Sequence, residues 1–222
     1  ISVIGAVEGG VYVDDGRLFD ALDGPPMPVL DLTEAERLPG SHNWQNAAAG
    51  YAVASRFGIA PDIAAAAIRS FPGLAHRQEL VATIDGIRYI NDSKATNADA
   101  TEKALTCYRA IYWIAGGLSK EGGIVPLEPH FERLRHAFLI GRATEEFAAT
   151  LDGKVPFTRC GDLPTAVAAA AERARADSER DAVVLLSPAC ASFDQFANFE
   201  ARGDEFRRLV GTLPKSNSAR PA

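Results

Sequence analysis

Short, almost wholly apolar runs alternate with helix-prone stretches through the later two thirds of the chain: "LVATID", "GIRYIND", "AIYWIAGG", "AFLIG", "VPFTRC" and "AVVLLSPA". A strand covered on both faces has no side to show water, so its sequence loses the in-and-out alternation of a half-exposed strand. Such runs separated by helices build a parallel sheet, with each crossover right-handed. The intervening helices are expected at residues 98–105, within 127–135, at 144–151, at 163–176 and in a last segment ending near residue 209. The expected fold class is α/β, a Rossmann-like open, mostly parallel sheet with helices on both faces.

The chain begins differently. "ISVIGAV", "GGVYVDDG" and "MPVLDL" are short β segments separated by Gly, Pro and Asp turns, and they resemble the margin of a sheet. An alanine-rich run from Asn46 to Phe57 ends at Gly58, where a helix stops, and Pro61 opens a second helix that Pro72-Gly73 closes. A domain boundary is expected within residues 74–78, with residues 215–222 as a disordered tail. The strand-like opening without an initiator Met reads as a start inside a fold.

The 222 residues are 47% hydrophobic and 23% charged, enough to bury a core, and the net charge of -6 lacks the basic surface that nucleic acid or an anionic membrane requires. No apolar run approaches the roughly 20 residues of a membrane span. Cys107, Cys160 and Cys190 are odd in number and widely spaced, as reduced thiols of a soluble cytoplasmic protein would be. His42, His76, His130 and His136 are scattered without ligand spacing, so no metal site is expected from them.

Three strand-to-helix turns carry the polar chemistry. In "RYINDSKATNADATEKAL", Thr96-x-x-Asp99 fits a capping box, but a cap does not need Asp92 and Lys94 as well, an acceptor and a cation at a strand end that would face a crevice. In "IAGGLSKEGG", Gly116-Gly117 lets backbone approach a ligand and Lys120 offers a point charge, with neither a Walker nor a dinucleotide fingerprint. In "LLSPACASFDQFANFEARGDEF", Ser192-x-x-Gln195 reads as the cap of a short helix whose free N–H groups suit an anion. Cys190 there reads as a buried filler and Phe196 as core. Together the three turns describe an anion pocket with two carboxylate-sized positions.

These motifs, with "LPGSHNWQNAAA" and His76-Arg77, resemble the Mur ligase family in its D-glutamate-adding branch, over roughly residues 38–213. The resemblance implies residues 1–75 as the C-terminal edge of a central ATP-binding domain and residues 76–214 as the amino-acid-binding domain. It implies ATP-dependent addition of D-glutamate to UDP-N-acetylmuramoyl-L-alanine through an acyl phosphate, in peptidoglycan synthesis. By the same resemblance Thr96, Lys120, Ser192, Phe193 and Phe199 meet D-glutamate, while Asn43, Asn46, Arg77, Asp92 and Lys94 meet the nucleotide. ATP and Mg2+ are the implied cofactors, the Mg2+ ligands and phosphate loop being expected upstream, so that the segment alone would not turn over. The implied partners are these small molecules, without nucleic acid or membrane, and the implied state is a monomer. A related ligase for another amino acid or for folate, and a non-catalytic α/β module that captures small acids, are the competing readings.

Overall fold

The computed structural model describes residues 1–35 and 37–214, and the predicted disordered tail lies outside the described residues. The chain divides into two compact units, Ile1–Gly73 and the residues from Leu74 onward.

In the first unit, strands β1 (Val11–Asp14), β2 (Arg17–Asp20) and β3 (Met27–Asp31) form an antiparallel sheet in that order. The β1–β2 turn is the dipeptide Asp15-Gly16, both at positive φ (45° and 77°), the conformation that matches strand twist in a two-residue hairpin. Sequence reading missed β2 and predicted a strand in residues 1–7. That segment instead makes a single bridge, Ser2 to Tyr12; Val3 packs against the core, but Ile4 is 97% exposed and the pairing does not extend to it. Helix α1 (Ser41–Arg56) starts before the expected Asn46, directly after Gly40, and α2 (Pro61–Arg69) has Pro61 in its first turn as predicted. Val11, Val13, Leu18, Leu30, Ala48 and Tyr51 are central to the shared core.

The second unit is a six-stranded sheet in the order β4-β5-β9-β6-β7-β8, formed by β4 (Glu79–Ile84), β5 (Ile87–Asn91), β6 (Ala110–Gly116), β7 (Leu134–Ile140), β8 (Phe157–Gly161) and β9 (Ala182–Leu186). All neighbours are parallel except the β4–β5 hairpin, which turns on Asp85-Gly86. Every residue of β6 and β9 is buried, as continuous apolar runs demand. One face packs against α3 (Ala98–Leu105) and α4 (Thr144–Leu151) through Leu105, Trp113, Leu139, Phe147 and Leu185. The other packs against α5 (Leu163–Asp177) and α6 (Phe199–Thr212) through Tyr112, Phe138, Ala170, Val184 and Phe206. The expected element within 127–135 is a 3-10 stretch, Val125–Arg133; Pro129 inside it has no N–H to continue an α-helix. No helix among the described residues is long and apolar enough to cross a membrane.

Candidate functional site

The strand order makes β5, β9 and β6 neighbours, so the segments leaving their carboxyl ends share one rim, the edge where open α/β sheets hold ligands. The first segment turns through Asp92 and Ser93 into α3. The sequence predicts an acceptor aimed outward at Asp92. Instead its carboxylate turns inward: Oδ2 accepts from Ser187 Oγ at 2.8 Å and Oδ1 from the Gln78 backbone N–H at 3.1 Å. Burial pushes its pKa up to about 7, against the opposing pull of Ser187, Gln78 and Arg77. Lys94 is exposed, its ammonium 5.1 Å from the centroid of the Phe199 ring. The predicted capping box is one residue out of register. Asn97 caps α3, its Oδ1 accepting from the Ala100 N–H at 2.8 Å, and the Thr96 hydroxyl is left out of the cap.

The second segment follows β6. Gly116 and Gly117 have φ of 128° and 132°, and neighbours leave no room for a side chain. A Cβ on Gly116 would lie 1.9 Å from the Ile140 carbonyl oxygen, and one on Gly117 would lie 2.3 Å from that of Ala191. Both the conformation and the close approach therefore require glycine. Lys120 is exposed on the loop beyond, which Ser119 ties to α4 by donating to Glu146 Oε2 at 2.5 Å.

The third segment leaves β9 and lies across the other strand ends. Leu118 and Ala191 exchange two backbone hydrogen bonds, at 2.9 and 3.0 Å, which join it to the Lys120 loop. Asp194 Oδ2 accepts from the Arg142 N–H at 2.9 Å, and Gln195 Nε2 donates to the Gly161 carbonyl at 2.7 Å. The short helix predicted at Ser192 does not form. The Ser192 carbonyl instead accepts from Gln195 and Phe196 in a turn, and α6 starts later, capped by Asn198. Gln195 is drawn away to β8, so the capping pair has no partner to complete it. Ser192 is 3% exposed, and its Oγ has no hydrogen-bond partner. Phe193 is 70% exposed, whereas Phe196 packs against the α5 and α6 side of the sheet. Cys190 is buried, which pushes its thiol up to about 12 and suits a space-filling role.

Helix α6 brings in residues that sequence reasoning missed. Phe199, Arg202, Phe206 and Val210 recur at helical spacing, and Arg202 occupies the inward stripe. Its guanidinium donates from Nε to Ser93 Oγ at 2.9 Å and from Nη2 to the carbonyls of Ser93 at 2.8 Å and Cys190 at 3.1 Å. Burial lowers its pKa to about 10. A charged residue on an otherwise apolar stripe was the legible signal. Asn91 Nδ2 reaches Glu79, His76 Nδ1 and the Gly203 carbonyl at 3.1, 3.1 and 3.2 Å, which locks the start of α6 to the end of β5.

The candidates thus sort by place. Thr96, Lys120 and Ser192 lie on three adjoining rim segments, Phe193 on the third of them, and Phe199 begins α6. Arg77 and Lys94 are exposed cations of the second unit, with Asp92 buried between them in sequence. Asn43 and Asn46 belong to the first unit, both on α1. Asn43 is buried and donates to the Pro39 carbonyl at 2.8 Å, whereas Asn46 is exposed.

Residues 76–190 match the family model described as Mur ligase, glutamate ligase domain. The chain is 60% identical over 211 residues to the UDP-N-acetylmuramoylalanine–D-glutamate ligase of Rhodospirillum rubrum, covering 95% of this chain and 44% of that protein. It is 58% identical over 219 residues to the protein of the same name in Paramagnetospirillum magneticum, covering 99% and 47%. The chain therefore spans a little under half the length of these relatives. Among solved structures, it resembles a pseudomurein peptide ligase type C from Methanothermus fervidus (TM-score 0.59, 15% identity, 92% of this chain and 41% of that one). It also resembles UDP-N-acetylmuramate–alanine ligase from Thermotoga maritima (TM-score 0.56, 16% identity, 88% and 43%). At that identity these two likenesses speak for the fold alone. With its matched stretch covering more than half its length, the chain belongs to the Mur ligase family and carries that family's glutamate ligase domain.

Proposed function

We propose that the chain provides the amino-acid site of an ATP-dependent ligase that adds D-glutamate to UDP-N-acetylmuramoyl-L-alanine in peptidoglycan synthesis, working in the cytoplasm as a monomer. The observation that carries this reading is the meeting of three rim segments around a buried, unpartnered Ser192 hydroxyl, with Thr96 and the exposed Lys120 on the adjoining turns. A hydroxyl buried without a partner costs free energy, and a ligand oxygen removes that cost. The identity to two D-glutamate ligases supports the choice of amino acid.

In this reading Lys120, Thr96 and Ser192 grip the carboxylates of D-glutamate, with charge-assisted bonds worth about 1.5–3 kcal/mol each. Phe193 and Phe199 border its carbon chain. The grip leaves the amine free to attack. The carboxylate of UDP-N-acetylmuramoyl-L-alanine is a poor electrophile until phosphorylated, so the γ-phosphoryl group of ATP passes to it. The amine then forms the amide bond and inorganic phosphate leaves. This chemistry depends mainly on positioning and charge. Arg77 and Lys94, both exposed cations of the second unit, face phosphate in this scheme, while Asp92, turned inward onto Ser187 and Gln78, shapes the turn that carries Lys94. Mg2+ accompanies ATP, but among the described residues no group of three or more His, Cys, Asp or Glu side chains is placed to hold a metal ion. No step is therefore assigned to metal ligands of this chain.

Calorimetric titration of the intact protein with D- and L-glutamate tests the reading, with selective D-glutamate binding as the expected result. In a phosphate-release assay, Lys120→Ala should raise the KM for D-glutamate about tenfold and the KM for ATP far less. Equal affinity for the two enantiomers, or a defect confined to ATP, defeats the assignment.

A further inference from the structure

Arg202 has a geometry that neither capping nor core packing explains. Its side chain is 1% exposed, and among the described residues no carboxylate lies within ion-pairing distance. A buried charge without a counter-ion is costly, and replacing it by an apolar residue of similar volume is often neutral or better. What the guanidinium does instead is join two chain segments that are remote in sequence. Nε and one Nη2 bond hold both the hydroxyl and the carbonyl of Ser93, and the other Nη2 bond holds the carbonyl of Cys190. Ser93 precedes Thr96 on the turn after β5, and Cys190 precedes Ser192 on the segment after β9. Ala191, between Cys190 and Ser192, is hydrogen-bonded to Leu118 on the Lys120 loop, so the third segment is fixed through the same point.

The rest of α6 serves this approach. A Cβ on Gly203 would lie 2.2 Å from His76 Nδ1 and 3.0 Å from Asn91 Oδ1, so only glycine lets the helix come this close to the end of β5. Ser93 Oγ in turn donates to the Phe199 carbonyl at 2.8 Å, which closes the contact from the other side.

We infer that Arg202 is a positioning residue, a clasp that sets the distance between the Thr96 and Ser192 turns and so fixes the shape of the socket for the acidic amino acid. The inference rests on the D-glutamate reading above. Lysine keeps the charge but lacks the planar fork that reaches two segments at once, so Arg202→Lys separates charge from clasp.

The test is steady-state phosphate release by the intact protein with D-glutamate varied. Arg202→Lys should raise the KM for D-glutamate about tenfold while the KM for UDP-N-acetylmuramoyl-L-alanine stays within about twofold. An unchanged D-glutamate KM overturns the inference, as does a fall in kcat alone, which is what mere loss of folded protein produces. Ser93→Ala removes the Oγ leg and leaves both carbonyl contacts. It should raise the same KM about threefold even if Arg202→Lys fails to fold, and a wild-type KM in Ser93→Ala also overturns the inference. Wild-type protein that releases no phosphate in response to D-glutamate fails the functional reading itself. A responsive wild type with unaffected variants fails only the clasp.

Discussion

Asp92 is held by two donors in a site that water scarcely reaches, and burial outweighs both of them, raising its pKa from 3.8 to about 7. The folded-state value lies above the unfolded one. Folding therefore takes up a proton between these limits, and the group's contribution to stability is full below about pH 4 and lost as pH rises through about 7. Asp92→Asn keeps one acceptor oxygen, for the Gln78 N–H, turns an amide N–H toward Ser187 Oγ in place of the second carboxylate oxygen, and cannot ionise. It should flatten the pH dependence of the melting temperature across that window, whereas an unchanged slope would show that Asp92 titrates at an ordinary carboxylate pH. Sequence marked Asp92, Lys94, Lys120 and Ser192 as chemistry-bearing because polar residues at strand ends are conspicuous. It did not say that Asp92 faces inward, because a side chain's direction in a turn depends on partners such as Ser187, remote in the chain.

At the level of elements, two predicted caps fail, and each failure leaves a hydroxyl outside any cap. Asn97 replaces Thr96 as the cap of α3, whose range is as expected, and the short helix expected after Ser192 is absent, the next cap being Asn198. The division of labour in the first turn can be measured. Asn97→Ala should cost about 1 kcal/mol in urea unfolding. Thr96→Ala should leave stability within about 0.5 kcal/mol yet weaken D-glutamate binding. If Thr96→Ala costs more stability than Asn97→Ala, the cap has been placed on the wrong residue. The strands were legible almost throughout because wholly apolar runs persist in β6 and β9. Residues 1–7 deceived the reading because a short apolar stretch is a strand only where a partner pairs with it, and here only Ser2 finds one.

For the molecule as a whole, each unit has apolar cores of its own: among the described residues one lies within the first unit and two within the second. A polypeptide beginning at Leu74 should therefore fold alone with a cooperative thermal transition and dispersed amide resonances. A non-cooperative melt would mean that the second unit depends on the first. The sequence by itself determined the α/β class and the strand ends as the place of the polar turns, since both follow from local composition and periodicity. Only tertiary structure decided that β9, last in the chain, enters between β5 and β6, and that Arg202 bridges the two turns flanking it. Pairings between strands and bonds from a helix to distant loops are set by packing over the whole domain, and no local stretch of residues encodes them.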